Sequence, residues 1–153
     1  MNVRARGFFI AGSAGLALGG VLHLWGQFGA GEPPLARAAI EAAMRAYKIG
    51  AMGMTHSLMD VMQCWGVLFA VLAMFGGVQN LIVVSLLPRT AGLGLLAASS
   101  ASCAAVLLGV SINYHLAPPI MVFSMVFLCF AAATVLALVS EPSGGGMRGA
   151  GPT

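Results

Sequence analysis

Long uncharged apolar runs alternate along the chain with short polar stretches. The first run extends from Gly7 to Gly31 without one charged residue; at about 1.5 Å per residue it is long enough to cross a hydrocarbon core of about 30 Å. Later runs have the same character. They predict spanning helices at residues 7–30, 55–80, 91–113 and 119–140, with the second run continued by Leu81 to Leu87 and closed by Pro88-Arg89-Thr90. Thr55 stands where a helix N-cap is expected. The expected fold class is all-α: one four-helix transmembrane bundle over residues 1–140, followed by a Gly- and Pro-rich tail, 141–153, expected to be disordered and cytoplasmic.

Between the first two runs the pattern changes. Pro33-Pro34 stops the first helix, and Arg37, Glu41, Arg45 and Lys48 then recur at helical spacing on one side, with Ile40, Met44 and Tyr47 on another. This predicts a short interfacial amphipathic helix, with Glu41 and Arg45 as an i,i+4 pair worth a few tenths of a kcal/mol.

Composition agrees with lipid as the main solvent. Of the 153 residues, 59% are hydrophobic and 7% charged, against roughly a quarter charged in soluble domains. The net charge of +3 comes from seven basic residues scattered over both ends and two connections, which form no patch for nucleic acid. Membrane lipid is the expected partner, with a homo-oligomer or a larger membrane complex open. The basic N-terminus resembles a signal peptide, but the apolar run continues too far and contains His23, Trp25 and Gln27, so it reads as uncleaved. Arg4, Arg6, Arg89 and Arg148 fall on one side of a four-span topology, and Arg37, Arg45 and Lys48 on the other. The excess of basic residues places both termini in the cytoplasm. Cys64, Cys103 and Cys129 lie within apolar runs with no CxxC spacing, and read as small buried packing residues. The ten methionines are scattered and read the same way.

This topology brings His23, His56, Asp60 and His115 to one membrane side. On a helix, His56, Asp60 and Cys64 would form an i,i+4 row with Gln63 beside it, and Asp60 would lie about 6 Å below His56. Trp65 would stand more than two turns into its span, with an indole N–H that needs a partner or a pocket. An acid within a span is a functional candidate by default. Three readings fit the group: a polar lock between helices, a pocket for a proton, quinone headgroup or other small amphiphile, or a metal or bis-histidine haem site using His23 with His56 or His115. No G-x-S-x-G, HExxH, phosphate loop or usable carboxylate pair is present, so no catalytic residue is assigned.

The order Gly20-Val21-Leu22-His23, Met44-Arg45-Ala46-Tyr47, Met54-Thr55-His56-Ser57-Leu58-Met59-Asp60, Trp65-Gly66 and Gly76-Gly77-Val78-Gln79-Asn80-Leu81 resembles a family of small bacterial four-span membrane proteins that are DoxX-like in general look. The resemblance covers roughly the first half of the chain. It implies a four-span fold and a bacterial inner-membrane setting, and it implies no reaction. The expected function is therefore a small non-enzymatic or accessory membrane protein without a cofactor, in which the outer-side cluster is structural or binds an amphiphile. The alternative is a redox or quinone-linked subunit with haem or metal held by His23 and His56.

Overall fold

The computed structural model describes residues 3–29, 34–51, 53–87, 92–113 and 117–140. The elements are α1 (Val3–Phe28), α2 (Leu35–Ala46), β1 (Lys48–Ala51), β2 (Met54–Ser57), α3 (Leu58–Leu86), α4 (Leu93–Asn113) and α5 (Ala117–Val139). Among the described residues, four helices, α1, α3, α4 and α5, are long and apolar enough to cross a membrane. In lipid a helix satisfies its own backbone hydrogen bonds, so Gly- and Val-rich sequence that would be a poor helix in water is held helical. At most 28% of the most apolar window in any of the four is buried within the protein. Most of each circumference is therefore left for lipid, as Leu72, Leu95 and Leu128 illustrate.

Two compact units divide the chain, Met1–Ser13 with Asn80–Thr153, and Ala14–Gln79. In the first, segments of all four long helices pack. Phe9 of α1 meets Phe130 of α5 with ring centroids 5.3 Å apart, and a side chain at Gly12 would run into that same Phe130 ring. Asn80 of α3 donates from Nδ2 to Ser100 Oγ of α4 at 3.2 Å. Helices α4 and α5 run antiparallel, Gly94 near the start of one lying beside Ala137 near the end of the other. The buried positions of α4, Ala97, Ala101, Ala104 and Ser111, follow helical spacing on a small-residue face. Hydroxyls inside the spans turn back to their own helix: Ser13 donates to the Phe9 carbonyl at 2.8 Å, Ser111 to Leu107 at 2.8 Å and Thr134 to Phe130 at 2.9 Å.

The second unit holds the rest of α1, then α2, the two strands and most of α3. The strands were not anticipated. They pair antiparallel, with Lys48 opposite Ser57, Ile49 opposite His56, Gly50 opposite Thr55 and Ala51 opposite Met54. Gly53 turns the hairpin at φ +77°, a conformation a residue without Cβ adopts at little cost.

Several expectations change in consequence. Thr55 belongs to β2 and is not a helix cap, and α3 begins at Leu58 and runs unbroken to Leu86. Lys48 leaves the polar side of α2 for β1. Glu41 pairs with Arg37, at 2.8 Å, instead of with Arg45; that places the acid after the base on the same helical face. Cys64 and Cys103 are exposed, because on α3 the packing positions near Cys64 go to Gly66 and Ala70. The expected tail, 141–153, lies outside the described residues.

Candidate functional site

The junction between the hairpin and α3 accounts for Asp60. Ser57, buried at the end of β2, donates its backbone N–H to Asp60 Oδ2 at 3.1 Å, and Asp60 donates its own N–H to Ser57 Oγ at 3.1 Å. This is the reciprocal arrangement of a capping box, with Asp in place of the more usual Glu three residues after the serine. It satisfies two N–H groups at a helix start and puts negative charge at the positive end of the helix dipole. Leu58 N–H donates to the Tyr47 carbonyl at 2.9 Å, tying the segment after α2 to the same helix start. Lys48 and Arg45 are near enough for their charges to act on Asp60.

His56 does not share a helix face with Asp60. It lies on β2, exposed, opposite Ile49, since the hairpin forms where a helical turn was expected. The row His56, Asp60, Cys64 is thereby broken after its first member. Gln63 is half-buried on α3, and Trp65 is 67% exposed, so its indole is not enclosed by the protein. His115 lies outside the described residues.

His23 stands elsewhere, on the face of α1 that packs along α3. The contacts run in antiparallel register: Leu16 lies beside Gly76, Gly20 against Ala70 and Met74, and Gln27 against Gly66, while the His23 ring meets Phe69 edge-on with centroids 5.4 Å apart. Positions 16, 20, 23 and 27 are one helical stripe. Two glycines set its fit. A Cβ at Gly20 would stand 2.6 Å from the Ala70 carbonyl oxygen, so backbone meets backbone there; a Cβ at Gly66 would overlap the Gln27 amide, which occupies that space. Inside this seam His23 Nε2 and Gln27 Oε1 are buried without a hydrogen-bond partner.

Asp60 thus stands at a capped helix start with His56 on the adjoining strand, and His23 lies with Gln27 on the face of α1 that packs along α3, a pair of which only His23 was anticipated. Gln27 was visible as a polar residue in an apolar run, and its i,i+4 spacing from His23 was the available signal. Among the described residues no group of three or more His, Cys, Asp or Glu side chains converges as a metal site would require. Comparison with protein-family models, with curated proteins and with solved structures finds no match.

Proposed function

We propose that this chain is a small non-enzymatic integral membrane protein, accessory in kind, whose His56/Asp60 region is a structural clasp at the lipid–water boundary. The observation that carries the reading is the reciprocal Ser57–Asp60 bonding: it gives the acid a complete structural job, so that no ligand is needed to explain a carboxylate at the start of an apolar helix. At 29 residues, α3 is about 43 Å long, roughly 13 Å more than a hydrocarbon core. That excess leaves room for Asp60 at headgroup depth, and for exposed Trp65 and Trp25 in the interfacial belt. Helix α2, held between two spanning helices, lies in the same interface. The basic residues favour cytoplasmic termini, and the resemblance to DoxX-like four-span proteins favours a bacterial inner membrane. Lipid covers the exposed apolar faces, part of which self-association or a larger membrane complex would use.

The clasp is tested by a double-mutant cycle on the full chain in mild detergent. Ser57→Ala and Asp60→Ala each remove one of the two bonds and are each expected to cost about 0.5–2 kcal/mol, with the double variant losing more than either alone. No loss of stability from either single variant would remove the clasp. An absorption spectrum of the same preparation addresses the haem alternative: a Soret band lost in His23→Ala or His56→Ala would replace the accessory reading with a redox one.

A further inference from the structure

One amide of α3 is left on the lipid side. Gln79 is exposed, and among the described residues none is hydrogen-bonded to its side chain, whereas the neighbouring Asn80 bonds to Ser100. With Trp65 in the interfacial belt, Gln79 lies about 21 Å farther along the helix, inside a core of about 30 Å and about 9 Å short of its far boundary. That is deeper than a glutamine can snorkel. An unpartnered amide in hydrocarbon is costly, and a leucine here would carry no such cost. Gln79 also ends a row. Trp65, Leu68, Leu72, Phe75 and Gln79 are all exposed and follow one another at intervals of three and four, the 3.5-residue period of a left-handed coiled-coil seam. The row lies opposite the face of α3 that α1 occupies, where Gly66, Phe69, Ala70 and Met74 meet that helix.

We propose that this row is the interface of a homodimer, in which α3 of one copy packs along α3 of a second copy and the two Gln79 amides bond to each other. The inference rests on the membrane-spanning reading of α3. Copies inserted in the same direction are related by a two-fold axis along the membrane normal, so helices packed about that axis run parallel and each residue faces its own copy. The partner of Gln79 is then Gln79. An amide fits that demand, because it carries an acceptor oxygen and two donor hydrogens, and each copy both donates and accepts. A group that only donates or only accepts would face its like. Leu68, Leu72 and Phe75 supply the side-chain packing on which association in lipid depends, and the amide pair fixes the register.

The test uses the full chain with Cys64, Cys103 and Cys129 replaced by serine. In cell membranes oxidised with copper phenanthroline, Leu72→Cys and Phe75→Cys are expected to give a disulfide-linked species of twice the chain mass. Leu95→Cys, also exposed but on α4, is not. In lipid vesicles, energy transfer between donor- and acceptor-labelled copies, each labelled at Arg148→Cys, measures association as the chain is diluted in lipid. Gln79→Leu should weaken that association by about fivefold or more, and Gln79→Asn, which keeps the amide, by less. Thermal unfolding of the dilute monomer separates lost association from lost fold: Gln79→Leu should unfold at or above the wild-type temperature, since Gln79 bonds to nothing in its own chain. The proposal is overturned by a Gln79→Leu chain that associates as wild type does or unfolds at a lower temperature as a monomer. It is equally overturned if the seam cysteines cross-link no more than Leu95→Cys, or only into a species of another mass, which would assign the row to a different protein. Alkaline carbonate tests the underlying reading: a chain it strips from the membrane overturns both, and a chain that stays embedded but monomeric overturns the dimer alone.

Discussion

Gly20 and Gly66 occupy equivalent positions along one helix seam and do different work. The nearest atom to a Cβ at Gly20 is the Ala70 backbone oxygen, and Met74 N lies 3.0 Å away; neither moves unless the helices part. At Gly66 the obstacle is the far end of the Gln27 side chain, which has rotamers to spare. Gly20→Ala is therefore expected to lower stability by about 1–3 kcal/mol, the usual cost of overpacking, and Gly66→Ala by less than about 0.5 kcal/mol. Thermal unfolding of both variants in one detergent checks the contrast, and equal losses would mean that Gln27 is fixed in place. Asp60 shows how context decides the meaning of a residue: an acid four positions after a histidine suggested a paired site, while in the fold its partner is the serine three positions before it.

The element least like its sequence-based expectation is the connection between α1 and α3. Its helical part was legible, since Arg37, Glu41 and Arg45 recur every four residues and Pro34 precedes the first turn. The hairpin was not. Lys48 to Ser57 contains two glycines and no sustained alternation of polar and apolar residues, and two four-residue strands leave too short a pattern to separate from a helix start. Pairing between the strands, and the bond from Leu58 to Tyr47, supply what local propensity lacked. Helix α2 contributes no buried residue, and Leu35 and Ile40 are 91% and 62% exposed. If the bilayer surface covers its apolar side, a tryptophan at Ile40, in a Trp25→Phe, Trp65→Phe background, will be quenched by brominated lipid and protected from aqueous iodide. A tryptophan at Glu41 will show the opposite order. Equal iodide quenching at both sites would lift α2 off the membrane.

For the whole molecule, the apolar runs, the scarcity of charge and the exposed circumferences of the long helices agree on a membrane protein. The proposed orientation is checked by impermeant thiol labelling of intact cells. In a background with Cys64, Cys103 and Cys129 replaced by serine, a cysteine at Glu41 should label from outside and one at Arg148 only after the membrane is opened. The reverse pattern would place the termini outside and carry the hairpin and the clasp to the cytoplasmic side.

The sequence by itself determined that the described residues hold four long apolar helices, three with both ends within about four residues of those expected and the second continuing past residue 80 to Leu86. Bilayer thickness sets a minimum apolar length that composition alone reveals, and no partner element is needed to read it. Tertiary structure decided where the polar residues went. Ser57 became a cap because β2 ends there, Glu41 turned to Arg37, and the Gln27 amide found room against Gly66 of another helix. Contacts between elements distant in the chain depend on rotation and register, which residue spacing within one helix does not encode.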